Sequence, residues 1–162
     1  MDELAYQGEA KVSQEREHIA YPNERERAFI ARQRVARMTT VDGRGEPSVV
    51  PICYAYDGTC FYTPIDEKPK QPGKTLKRVR NVETTGTAAL VIDRYDEDWS
   101  RLGWVMVRGR ASMLHPGVPG HAPAVELLRE RYPQYRAMAL ERASIIVITP
   151  THITSWGALE IG

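Results

Sequence analysis

Between residues 35 and 63 short β-branched and aromatic runs alternate with tight, glycine-containing turns, and this constrains the fold more than any other feature. Val35–Val41 gives way to Asp42-Gly43-Arg44-Gly45 and Ser48–Tyr56 to Asp57-Gly58. Thr59–Thr63 then runs into a loop broken by Pro64, Pro69, Pro72 and Gly73. Further strands are predicted at Thr87–Asp93, at Trp104–Leu114, and from Ser144 through Pro150 to Trp156. Helices fall between them. Asn23 and Glu26 form a capping-box pattern that opens a helix ending near Gln33, with Phe29 and Ile30 on its apolar face. Leu76, Val79 and Val82 mark a second, short helix that begins near Gly73-Lys74, and a third covers Ala124–Tyr132. Six strands without alternating βαβ units predict a mainly β (α+β) chain, an antiparallel barrel with flanking helices. A barrel this small fills its interior with side chains, so a ligand larger than one ring binds outside it or between subunits, which points to an oligomer.

Composition bounds the function. Lys and Arg number 22 against 21 Asp and Glu, a net charge of +1, which argues against bulk nucleic-acid binding and against a polybasic membrane anchor. No apolar run is long enough to span a bilayer, and the N-terminus lacks a signal pattern, so a cytoplasmic protein is expected. Residues 1–21 are polar and aperiodic and are read as an N-terminal extension, with 22–162 as one domain. Cys53 and Cys60 fit neither a zinc pattern nor a disulfide framework. With Asp57-Gly58 as a two-residue turn, Ala55 pairs with Cys60, and both cysteines are expected as small core residues.

The charge is unevenly placed. Lys68, Lys70, Lys74, Lys77, Arg78 and Arg80 fall within thirteen residues that hold no acid. They follow a strand ending in Tyr62-Thr63 and lead into a helix start, a combination of cations, a hydroxyl and unpaired N–H groups suited to a phosphate. The bland reading is a solvated basic helix face, and the spacing is not that of a P-loop. A second cluster, Asp93 to Arg101, sets Tyr95 and Trp99 beside Asp96, Glu97 and Asp98. Its aromatic residues, with Trp104 and Trp156, suit stacking on a planar ligand, although tryptophans in strand-like stretches are generally core. Three consecutive acids point in different directions and the histidines are scattered, so no metal site is expected. No nucleophile elbow is present, and His18, His115, His121 and His152 have no nucleophile partner in view. No catalytic residue is assigned. The chain fits chemistry carried by a bound cofactor, for which the protein supplies anchoring and orientation.

Arg37-Met38-Thr39-Thr40-Val41-Asp42, Pro47-Ser48-Val49-Val50-Pro51, Phe61-Tyr62-Thr63-Pro64, Asp66-Glu67-Lys68-Pro69-Lys70, Arg80-Asn81-Val82-Glu83 and Val107-Arg108-Gly109-Arg110-Ala111 occur in this order. The set resembles the pyridoxamine 5'-phosphate oxidase-like split-barrel proteins, and within them the deazaflavin (F420)-dependent branch. The resemblance implies a six-stranded antiparallel split barrel and a homodimer with a flavin-type cofactor in a groove between subunits. It places Ser48, Val49, Val50 and Pro51 along the ring system, Tyr62 and Thr63 along the side chain, and Lys68, Lys70 and Lys74 near the phosphate, with Trp156 reaching over from the other subunit. Arg80 is expected to pack against the sheet. Gly103 stands where the branch carries a bulkier residue, which implies a more open substrate side. The function so implied is hydride transfer from F420 to a small conjugated or heteroaromatic acceptor. FMN on the same fold, or a non-catalytic flavin, haem or tetrapyrrole binder, are the alternatives. Nucleic-acid binding through Lys68–Arg80 is disfavoured by the flanking Asp66, Glu67 and Glu83.

Overall fold

The computed structural model describes residues 18–66 and 71–160. In chain order these form α1 (Glu24–Arg32), β1 (Ala36–Val41), β2 (Pro47–Ile52), β3 (Ala55–Tyr56), β4 (Phe61–Pro64), α2 (Lys77–Thr85), β5 (Thr87–Arg94), β6 (Gly103–Leu114), α3 (His121–Arg131) and β7 (Ile145–Gly157). All seven strands join one antiparallel sheet in the order β2-β1-β5-β6-β7-β4-β3. The expected mainly β barrel with flanking helices is present. One difference is in the count, because the single strand expected over Ser48–Tyr56 is broken at Cys53-Tyr54.

That break explains the curvature. β2 and β3 are the two edges of the sheet, yet only Cys53 and Tyr54 separate them in the chain. The Ile52 and Ala55 Cα atoms therefore lie within about 11 Å of each other. A sheet whose opposite edges meet must curl into a barrel, split along the line where they meet.

Strand alternation fills this barrel. Ala36, Met38, Leu90, Ile92, Val105, Val107, Phe61, Ile146 and Ile148 are buried together inside it. A second core lies outside, where Ala124, Val125 and Leu128 of α3 cover Ala55 and Ile145, with Tyr62 and Leu114 packed against them. The capping box at α1 forms as expected: the Glu26 amide donates to Asn23 Oδ1 and the Asn23 amide to Glu26 Oε2, both at 2.9 Å. Ser155 Oγ donates to the same Glu26 carboxylate at 2.7 Å, which ties the helix start to β7.

Several local expectations are corrected. Tyr56 pairs with Phe61 and Ala55 with Tyr62, so the β3–β4 turn holds four residues and Ala55 does not face Cys60. The Asp57 carboxylate selects this longer turn by accepting the Thr59 and Cys60 amides, each at 2.8 Å. Both cysteines are only half-buried. α2 begins at Lys77 and has no side-chain cap, while Lys74 sits in a turn closed by its amide on the Gln71 carbonyl at 3.2 Å. Arg80 is exposed on α2, whose inward residues are Val79, Asn81 and Val82. Trp156 is 55% exposed rather than core, because its partner across the sheet, Trp104, belongs to the outward set on β6. Gly103 is buried, and a Cβ there would lie 3.3 Å from Leu159 Cδ2. The missing side chain makes room for the buried Leu159. Among the described residues no helix is long and apolar enough to cross a membrane.

Candidate functional site at the barrel seam

The seam is closed by aromatic residues and the C-terminal end of α1. Tyr54 is buried at the crossing point, and its hydroxyl donates to the Ile30 carbonyl at 2.5 Å. Burial, which disfavours the phenolate, pushes its pKa up. The Tyr132 hydroxyl accepts the Tyr54 amide at 3.1 Å and lies 2.8 Å from both the Tyr54 and Arg34 carbonyls. Arg131 lies over the Tyr54 ring, 4.9 Å from its centroid, and donates to the Ile30, Ala31 and Gln33 carbonyls. These are the carbonyls a helix end leaves without partners, so a cation there both caps and complements α1.

Three grooves run along this seam. The first, about 580 Å³, lies between α1, the β3–β4 turn and α3 and is lined by Arg27, Tyr54, Tyr56 and Glu130 among others. The buried Tyr56 hydroxyl has no hydrogen-bond partner among the described residues. The second, about 540 Å³, is walled by Tyr132, Pro133, Tyr135 and Met138. The third, about 240 Å³, is lined by Pro51 and Ile52 of β2, Thr63 and Pro64 of β4, and Arg78 of α2. Val35, Cys53, Asp66 and Tyr135 line both the second and the third, which are therefore adjacent. At this junction the Tyr135 hydroxyl donates to Asp66 Oδ2 at 3.1 Å, and burial together with that carboxylate pushes the phenol's pKa up.

Of the residues singled out in the sequence, Pro51 and Thr63 meet in the third groove, where Thr63, 3% exposed, contributes little surface. Lys68 and Lys70 lie outside the described residues. Lys74 is exposed in the turn before α2. On β2, Val50 packs against the barrel core, Ser48 is half-buried opposite Thr40, and Val49 is exposed on the outer face. Tyr62 turns away from Thr63 by strand alternation, packs beside the α3 core and donates to Asp57 Oδ2 at 2.7 Å. Trp156 does not line this groove and lies on the outer face beside Trp104. Asp96 accepts from Arg101 Nε at 2.9 Å, and Asp98 accepts the Ser100 amide and hydroxyl, so both acids are occupied in shaping their own loop. Arg34 and Tyr135 escaped the sequence reading, and Asp66 entered it only within a family motif and as an acidic flank of the basic run. Only the pair Tyr132 and Tyr135 flanking Pro133 gave any signal of an aromatic wall.

A curled antiparallel sheet whose edges meet at a helix-covered seam is the split-barrel architecture. The profile of the pyridoxamine 5'-phosphate oxidase family matches residues 22–157, and the chain belongs to this family. Among curated proteins no sequence relative matches. Solved structures share the fold. A conserved hypothetical protein of Mycobacterium tuberculosis is 20% identical, with TM-score 0.65 and 86% of each chain covered. A FAD-binding protein of Mesorhizobium loti is 21% identical, with TM-score 0.58 over 78% of this chain and 86% of that one. The haem storage protein HutZ of Vibrio cholerae is 12% identical, with TM-score 0.63 over 81% and 90%.

Proposed function

We propose that this chain is a cytoplasmic, F420-dependent oxidoreductase that works as a homodimer and passes hydride to a small conjugated or heteroaromatic acceptor. The observation that carries the reading is the third groove, where Pro51, Thr63 and Arg78 converge beside Asp66, the residue from which the chain enters its basic segment. A guanidinium in the groove, with Lys68, Lys70 and Lys74 close to it in sequence, suits the phosphate that flavins and deazaflavins share. On this reading Ser48, Val49, Val50 and Pro51 border the ring system, Thr63 borders the side chain while Tyr62, facing α3, takes no part, and Trp156 is contributed by the second copy. The bound deazaflavin supplies the hydride chemistry. The chain supplies phosphate anchoring, ring orientation and a shaped groove.

Family membership and the FAD-binding structural relative support a flavin-type cofactor, and FMN is the nearest rival. Haem binding by HutZ keeps a storage role as a second reading. The described lining residues of the three seam grooves include no histidine, so Cys53, Met138 or a tyrosine would have to hold a haem there.

Visible-absorption titration of the purified protein with F420, FMN and haemin separates these readings. Saturable binding of F420 is expected, and replacing Lys68 and Lys70 together by Ala should weaken it by about 2 kcal/mol or more. Tight FMN binding without a deazaflavin response would replace F420 by FMN. A haem complex without turnover would make the protein a binding module, and unchanged affinity in the double variant would reduce the basic run to surface charge.

A further inference from the structure

We propose that the second groove, over Tyr132, Pro133, Tyr135 and Met138, is the acceptor's compartment and takes a flat, largely apolar molecule bearing one carboxylate, which Arg34 receives. Its role as acceptor site rests on the oxidoreductase reading. The ligand chemistry rests on the groove itself.

At about 540 Å³ the groove has the size of a small-molecule site. Its walls are rigid and apolar: Tyr132 and Tyr135 are buried and meet edge to face, with ring centroids 5.5 Å apart. Val35 and Met138 leave 40% and 37% of their surface exposed along the same groove, apolar surface that a ligand's ring would cover.

Two arginines line the groove, and they are not equivalent. Arg131 is fully engaged, with Nε on the Tyr132 hydroxyl and its terminal nitrogens on carbonyls at the end of α1. Arg34 donates only through Nη1, to the Arg131 carbonyl at 2.8 Å, and lies over the Tyr132 ring at 5.8 Å. Its other N–H groups make no hydrogen bond among the described residues. An exposed guanidinium with an open edge beside an aromatic wall is suited to a bidentate carboxylate.

Asp66 fixes the orientation. It lines the second and third grooves alike, and its charge repels an anion beside it. The carboxylate therefore pairs with Arg34 and keeps away from Asp66.

The test uses 2-naphthoate and its neutral counterpart 2-naphthamide as fluorescent probes of the full chain. Naphthoate should bind, and Arg34→Gln should weaken it by about tenfold while leaving the amide within about twofold. Met138→Trp, which fills the groove, should weaken both probes by about tenfold. Both substitutions fall at exposed positions, and neither residue lines the third groove, so cofactor affinity should stay unchanged in each variant. Absent naphthoate binding, binding that ignores either substitution, or equal loss of acid and amide in Arg34→Gln would overturn the proposal. If naphthoate behaves as expected but neither F420 nor FMN binds, the oxidoreductase reading fails and the carboxylate site stands.

Discussion

Asp57 shows how one side chain sets the geometry around it. Burial alone would raise its pKa, but the Cys60 and Thr59 amides and the Tyr62 hydroxyl together hold it below the ordinary carboxylate range. A carboxyl whose folded pKa lies below its unfolded value stabilises the fold above the unfolded pKa. That contribution disappears as the pH falls through the folded pKa. Urea unfolding between neutral pH and about pH 3 should therefore show a steeper acid-side loss of stability in the wild type than in Asp57→Asn. Identical acid slopes would mean that the turn does not depend on the ionised carboxylate. Asp57-Gly58 announced a turn in the sequence. Its four-residue length was not legible, because it depends on which amides the carboxylate reaches and on Tyr62 arriving from the next strand.

Among the elements, the β6–β7 pair organises the sheet, running from Gly103 opposite Gly157 to Leu114 opposite Ile145 with a register shift at Arg108/Gly109. At that irregularity a Cβ on Gly109 would come within 2.2 Å of the Thr149 carbonyl oxygen, so only glycine allows the strands to approach this closely. Gly109→Ala should cost about 1–3 kcal/mol in denaturant unfolding, since backbone rather than a flexible side chain must move. A change within about 0.5 kcal/mol would show that the bulge relaxes freely. The strands themselves were legible because turn residues and β-branched runs are local signals. The start of α2 was misplaced because a helix opening on Leu76 without a side-chain cap leaves no such mark, and the break at Cys53-Tyr54 was missed because both residues suit a continuous strand.

For the molecule as a whole, the outer sheet face is the surface on which the proposed dimer can be tested. Thr39 pairs with Val49, Arg37 pairs with both Pro51 and Val91, and Val91 pairs with Met106, which places these residues on one face with Trp104 and Trp156. Val49 is 64% exposed and Val91 37%, and Arg37 and Asp93 form a 2.5 Å ion pair beside them. Apolar side chains gathered around a charge pair suit a second copy of the chain. If two copies pair here, Val49→Arg should shift sedimentation from dimer to monomer and weaken cofactor binding in the same samples. A dimer that persists in this variant would move the interface elsewhere.

The sequence by itself determined the mainly β class, the capped first helix and the concentration of positive charge between Lys68 and Arg80, because each is written in neighbouring residues. Tertiary structure decided where the grooves lie. The two edges of the sheet meet at Cys53-Tyr54, and only that closure brings Arg34, Asp66, Arg78 and Tyr135 to one seam from distant stretches of the chain. It also decided that Tyr62 faces α3 while Thr63 faces the barrel core, since pleat direction is fixed by the partner strands rather than by either residue.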